Sequence, residues 1–238
     1  MSNSFFCFKQ FTIHHDRCAM KVGTDAVLLG AWAETKDAGS ILDVGSGSGI
    51  IAVMMAQRTQ ATIHAIEIDV DAASQAAENV QQCPWKERIT IIQAALQDFA
   101  LRAEQKYDLI VSNPPYFQNS LKAPGEKRNM ARHDDGLSFS DLMSCSEKVL
   151  TEKGTIALII PYEGYEEMNA AALRQGLFCT RKTIVKTKAG TEPKRILLEF
   201  SRIPAPVVVT ELCIHNADMN YSEEYKNLTN GFYLRSNR

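Results

Sequence analysis

From residue 41 to residue 160 the chain repeats one pattern, a short apolar run followed by a longer helical stretch, and no other feature limits its fold as strongly. Residues 41–44 read as a buried strand and residues 50–58 as an apolar helix. A second strand over 62–66 leads into a helix over 70–82, with Ala73, Ala76, Ala77 and Val80 on or near its packing face and Pro84 closing it. Residues 89–92 form a third strand, 94–102 its weakly patterned crossover, and 106–111 a fourth strand. Ser138 is placed to cap a helix reaching Leu150. A fifth strand over 154–160 stops at Pro161, and a helix from about 165 to 175 ends at Gly176. Such a series implies an α/β fold, a mostly parallel sheet covered on both faces.

The end of the chain departs from that rhythm. Residues 180–188 and 195–201 are both strand-like and are separated by Ala189-Gly190-Thr191-Glu192-Pro193, which predicts a terminal antiparallel hairpin and a sheet of seven strands. With no convincing boundary or repeat along its 238 residues, the chain reads as a single domain over 1–238. Residues 1–33 form a lead-in and a helix. Phe6, Phe8 and Phe11 are suited to pack it, and Thr24 or Asp25 to cap the helix that follows.

Charge excludes one broad class of partner contact. Lys and Arg total 26 against 28 Asp and Glu, so the whole molecule is not a general sponge for nucleic acid, and any such contact must be local. Two basic concentrations exist. One holds Lys122, Lys127, Arg128, Arg132 and His133; the other holds Arg181, Lys182, Lys186, Lys188, Lys194 and Arg195. Each is equally compatible with an ordinary solvated loop or hairpin. The six cysteines never approach a CxxC spacing, so they read as reduced small hydrophobes, with no metal site expected. No export signal and no run of roughly 20 apolar residues is present. A cytoplasmic location, no membrane and no obligate protein partner are the resulting expectations.

Two segments carry chemistry. Asp43-Val44-Gly45-Ser46-Gly47-Ser48-Gly49 joins the first strand to a helix, where glycines permit tight turning and close approach by a ligand. A GxGxxG dinucleotide loop would need glycine where this chain has Ile50, and no Gly-Lys-Ser or Gly-Lys-Thr follows, so neither a nicotinamide nor a triphosphate loop fits. Glu67, at the end of the second strand, is placed to accept both ribose hydroxyl hydrogens of an adenosine-like ligand, with Asp69 its near competitor. Asp98 can meet an adenine amine or simply face solvent, and Asp43 can hold the glycine turn or approach the ligand through water.

The second segment is Asn113-Pro114-Pro115-Tyr116-Phe117, at the end of the fourth strand. Asn113 offers a side-chain carbonyl and Pro114 a backbone carbonyl, in a loop stiffened by tandem prolines. Two fixed acceptors on the hydrogens of a planar amine favour pyramidal nitrogen and expose its lone pair. Tyr116 can stack on a base and Phe117 can complete the wall, or both can fill the core.

The paired motifs DVGSGSG and SNPPYF resemble class I S-adenosylmethionine-dependent methyltransferases acting on amine nitrogens. Residues 16–32, NPPYF at 113–117, residues 193–200 and the ending at 225–234 extend the resemblance to the bacterial tRNA adenine methyltransferases that modify the adenosine just 3′ of the anticodon in valine tRNA. The resemblance implies a Rossmann-like class I fold, S-adenosyl-L-methionine as donor and the anticodon arm of that tRNA as partner. It implies donor contacts at Asp43, Gly45, Gly47, Gly49, Glu67, Asp98 and Asn113, catalysis by Asn113, Pro114 and Tyr116, and base contacts at Tyr116 and Phe117. Lys21 and Asp25 would border the donor entrance or serve capping and solvation. Lys122, Lys127, Arg128 and Arg132 would meet phosphates, with Lys186, Lys188, Lys194 and Arg195 extending the track. Protein-glutamine methylation uses the same acceptor pair and remains open, as does a nucleic-acid-binding protein that keeps the fold without the reaction.

Overall fold

Residues 3–115 and 137–234 are described by a computed structural model. The lead-in is a small hairpin of β1 (Phe5–Cys7) and β2 (Thr12–His14). Phe8 and Phe11 stack at 4.6 Å and are buried, while Phe6 stays at the surface. All three expected rings take part in the packing: Phe6, although exposed on one side, meets Phe8 at 4.7 Å and Tyr233 at 5.9 Å. The lead-in meets the far end of the chain, where Lys9 N–H donates to the Phe232 carbonyl at 2.8 Å and Phe8 pairs with Tyr233.

The alternation produces α1 (Thr24–Trp32), β3 (Ser40–Val44), α2 (Ile50–Arg58), β4 (Thr62–Glu67), α3 (Val70–Gln81), β5 (Ile89–Gln93), α4 (Leu96–Arg102) and β6 (Tyr107–Ser112). From residue 137 onwards come α5 (Phe139–Val149), capped by Ser138, β7 (Leu150–Pro161), α6 (Tyr165–Arg174), β8 (Phe178–Lys188) and β9 (Pro193–Ser201). β10 (Val208–His215) and α7 (Glu223–Thr229) complete the described elements. Gly23, not Thr24 or Asp25, occupies the cap position of α1.

The strands lie in the order β10-β8-β9-β7-β6-β3-β4-β5. β3 to β7 run parallel, β9 opposes both β7 and β8, and β10 runs parallel to β8. The expected seven strands are thus joined by an eighth. β10 escapes a reading by alternation because it is an edge strand in which only Leu212 is buried, while Val208 and Val209 are exposed.

Side chains alternate between two cores as the pleat requires. Ile41, Ile63, Leu109, Val111 and Ile159 join α1, α2 and Tyr225 of α7 on one face. Leu42, Val44, Ile110, Leu158 and Phe200 join Leu142 of α5 and Met168 of α6 on the other. The chain builds outward from β3 through β4 to β5, then returns to add β6 on β3's other side. That reversal opens a crevice at the carboxyl ends of β3 and β6, where open α/β sheets hold ligands.

Candidate active site

One register fixes the centre of the site. Val44, the last residue of β3, pairs with Ile66 of β4 and with Ser112 of β6. The next residues along the three strands are Gly45, Glu67 and Asn113, so the glycine loop, the strand-end acid and the proline loop leave the sheet side by side. The Ser112 hydroxyl donates to the Val44 carbonyl at 2.8 Å, clamping the bases of two of these loops together.

The glycine loop turns sharply. Gly45 and Ser46 N–H both donate to the Ile66 carbonyl, at 2.9 and 3.0 Å. Gly45 and Gly47 have φ of +70° and +53°, a region that strains a side-chain-bearing residue, and no described residue lies within 4 Å of where their Cβ atoms would stand. That face of the loop is an open cradle. Gly49, also left-handed, faces elsewhere: a Cβ there would sit 3.3 Å from that of Ala76, so its smallness permits the approach of α3.

The acids divide into different environments. Asp43 is fully buried; its Oδ2 accepts from Ala52 N–H at 3.0 Å, and Oδ1 has no partner among the described residues. Burial pushes its carboxyl up to about 7, the Ala52 hydrogen bond opposes this, and the nearby Glu67 charge adds to the rise. Glu67 accepts from Gly47 N–H through Oε2 at 2.8 Å and from Asp69 N–H through Oε1 at 3.0 Å. Asp69 itself caps α3 by accepting from Ala72 N–H, which separates the two competing acids: Glu67 faces the glycine loop and Asp69 serves the helix. Asp98 lies exposed in the first turn of α4.

On the other side of β3, Asn113 is half-buried, Pro114 buried and Pro115 exposed. Tyr116, Phe117, Lys122, Lys127, Arg128, Arg132 and His133 lie outside the described residues.

The remaining expected residues ring this edge. Lys21 is exposed, and Asp25 of α1 accepts from Arg195 Nε at 2.8 Å, so two residues expected in different roles form one ion pair. Arg195 pairs in register with Pro161 at the end of β7, which places the tip of the β8–β9 hairpin on the same sheet edge as the glycine and proline loops. Lys188 and Lys194 are exposed there, while Lys186 is paired with Glu211 at 2.9 Å.

Sequence reasoning missed Asn79 and Gln75, both buried on α3. Asn79 Nδ2 donates to the carbonyls of Ser48 and His14, and Gln75 holds Asp16, Arg17 and Cys18. Their signal was two carboxamides at i and i+4 on an otherwise alanine-lined face. Cys18 ends beside the acids: burial pushes its thiol up to about 11, and the charges of Glu67 and Asp69 reinforce this. Among the described residues no group of three or more His, Cys, Asp or Glu could hold a metal ion, and no helix is long and apolar enough to cross a membrane.

The open glycine cradle, the unpartnered acceptor of Asp43 beneath it and the Glu67 carboxylate beside it suit a ligand that carries a diol and hydrogen-bond donors. The family model described as the methyltransferase small domain matches residues 18–175. A protein of Phocaeicola vulgatus named tRNA1(Val) (adenine(37)-N6)-methyltransferase is 50% identical over 235 residues, covering 98% of this chain and 99% of that protein. A Bacteroides fragilis protein of the same name is 46% identical, covering 99% of this chain and 100% of the other. Among solved structures, one described as a predicted O-methyltransferase from Agrobacterium tumefaciens superposes with a TM-score of 0.67 at 21% identity, covering 87% of this chain and 96% of that one. At that identity the likeness speaks for the fold.

Proposed function

Because this chain belongs to the tRNA1(Val) (adenine(37)-N6)-methyltransferase family, we propose that it methylates the exocyclic 6-amino group of the adenosine immediately 3′ of the anticodon in valine tRNA. The observation that carries the reading is the shared register at Val44, which sets Gly45, Glu67 and Asn113 side by side at the carboxyl ends of three neighbouring strands.

S-adenosyl-L-methionine, when bound, supplies an electrophilic methyl group on a sulfonium. Gly45 and Gly47 would hold it through their open cradle, Glu67 through the ribose diol, and Asp43 from beneath the turn, directly or through water. Glu67 suits the diol because an ionised carboxylate has about four lone-pair sites, of which the Gly47 and Asp69 N–H groups take two. Asp98, exposed in the first turn of α4, would meet the adenine amine, and Lys21 and Asp25 would border the entrance.

Asn113 Oδ1 and the Pro114 carbonyl accept the two hydrogens of the adenine amine. Such an amine is a weak nucleophile because its lone pair is delocalised into the ring. Two acceptors held in place before the substrate arrives favour the pyramidal nitrogen and lower the barrier by positioning and electrostatics, without a strong base. Tyr116 and Phe117 complete the base-binding wall, and Lys122, Lys127, Arg128 and Arg132 meet phosphates of the anticodon arm. Work on tRNA is consistent with a cytoplasmic protein.

The test is incubation with labelled donor and unmodified total tRNA, followed by mapping of the labelled nucleoside. Label in N6-methyladenosine next to the valine anticodon is the expected result. Label confined to protein glutamine, or to another nucleoside, overturns it.

A further inference from the structure

The side chain of Asn79 engages both of its polar atoms, in three hydrogen bonds, to join three separate parts of the molecule. It is 1% exposed on α3. Its Oδ1 accepts the His14 N–H at 2.9 Å, while its Nδ2 donates to the His14 carbonyl at 2.8 Å and to the Ser48 carbonyl at 2.9 Å. An amide has one acceptor oxygen and two N–H donors, so every polar atom is engaged. Towards His14 it behaves as a neighbouring strand would, satisfying both backbone groups of one residue at the open edge of β2.

The bond to Ser48 has a specific cause. Ser48 stands just before Gly49, the N-cap of α2, whose own carbonyl takes the first helical bond from Val53 N–H at 3.0 Å, so no helical N–H is aimed at the Ser48 carbonyl. The free N–H of Ala52 in the first turn donates to Asp43 Oδ2. The carbonyl next to the left-handed Gly49 is therefore supplied by Asn79, and leaving it unsatisfied in this buried place would cost about as much as a lost hydrogen bond.

One turn back, Gln75 continues the same contact. Its Nε2 donates to Asp16 Oδ1 at 2.8 Å, and its Oε1 accepts from Arg17 N–H at 3.0 Å and from the Cys18 thiol at 3.2 Å. Arg17 also forms an ion pair with Glu78. Residues 14–18 are thus laid along one face of α3 from the glycine loop towards Glu67.

We infer that Asn79 is a positioning residue for the methyl donor, coupling the conformation of the glycine loop at Ser48 to the docking of residues 14–18 beside it. The inference rests on the donor reading given above. Without Asn79, the Ser48–Gly49 peptide keeps only the bond from Gly49 N–H to the Ser46 carbonyl at 2.8 Å and the lead-in loses its anchor at His14, so a ligand in the cradle must order both.

The test measures binding of S-adenosylhomocysteine by calorimetry and amide hydrogen exchange of residues 12–18 with and without that ligand. In the wild-type chain the ligand slows exchange at the His14 amide by tenfold or more, beyond any change at amides remote from the site. Asn79→Ala weakens ligand binding tenfold or more while tRNA affinity stays within twofold. Gln75→Ala, which leaves Ser48 held, gives a smaller loss and removes the protection at residues 16–18. Should Asn79→Ala fail to fold, the wild-type exchange measurement decides alone. Unchanged exchange at His14 on ligand binding, or a folded Asn79→Ala with wild-type affinity, overturns the coupling while leaving the donor reading intact. A wild-type chain that binds no S-adenosylhomocysteine overturns both.

Discussion

Gly47 donates its backbone N–H to Glu67 Oε2 at 2.8 Å, so the glycine loop and the acid at the end of β4 hold each other in place. Glu67→Gln leaves one carbonyl oxygen where two carboxylate oxygens stood, and its amide hydrogens face the Gly47 or Asp69 N–H. Donor affinity should fall at least tenfold, with a stability loss of about 1.5–3 kcal/mol from the charge-assisted bonds. Calorimetric titration with S-adenosylhomocysteine reads the first effect. A dissociation constant within twofold of wild type would remove Glu67 from the ribose contact.

Asp43 gives the fold a pH dependence opposite to that of an ordinary paired carboxylate. Burial raises its carboxyl from 3.8 to about 7 in the folded protein. Between those values the folded chain keeps a proton that the unfolded chain has released, so this group's contribution to stability falls as pH rises through the window and levels off above about 7. Asp43→Asn should flatten that slope relative to wild type. Denaturant midpoints measured from pH 4 to pH 8 check it; parallel wild-type and variant curves would mean the buried carboxyl titrates normally.

Much of this fold is legible in the sequence, and the reasons differ by residue. The β/α elements are legible because β3, β4 and β6 bury both faces and their apolar runs are bounded by glycine, polar and proline signals. The meeting of DVGSGSG with NPP follows from topology, since strands β3 and β6 must flank the reversal point of such a sheet. The partnership of Asp25 with Arg195 is not legible: the residues are 170 positions apart, and each charge alone suits a ligand or solvent. Asn79 is hidden for a different reason. A carboxamide among alanines reads as a helix surface, and only the backbone groups at Ser48 and His14 reveal what it satisfies.

Asn113→Ala separates chemistry from binding. The variant loses one of the two proposed amine acceptors but keeps the glycine cradle and Glu67. Removing one preorganised polar group of this kind costs about 10²–10³ in rate. Single-turnover methylation with saturating tRNA should show that loss, while S-adenosylhomocysteine affinity changes little. A rate within threefold of wild type would end the acceptor assignment.

Gly30 tests the packing of α1 on α2 without touching the site. A Cβ at this position would lie 2.6 Å from Met54 Sδ and 3.1 Å from Met54 Cβ, and Met54 is completely buried. Gly30→Val should cost about 1–3 kcal/mol by overpacking. For a chain of this size each kcal/mol is about 2–4 °C in Tm. Thermal unfolding measures it, and an unchanged Tm would show that Met54 moves aside freely.

The hairpin tip offers a test of RNA binding that the ion pairs sharpen. Lys188 and Lys194 are exposed on the sheet edge that carries the proline loop, whereas Lys186 and Arg195 are already engaged by Glu211 and Asp25. A phosphate near the tip gains more from the first two, because among the described residues neither forms an ion pair. Each lysine–phosphate pairing removed should lower the slope of log affinity against log salt by about 1. Replacing Lys188 and Lys194 together by alanine should therefore weaken tRNA binding and reduce that slope by about 2, with donor affinity unchanged. Replacing Lys186 should shift the slope less, since its ammonium is already paired with Glu211 and neutralises less phosphate charge. Filter binding across a salt series distinguishes the two, and equal slopes for wild type and the Lys188, Lys194 double variant would place the RNA track away from this hairpin.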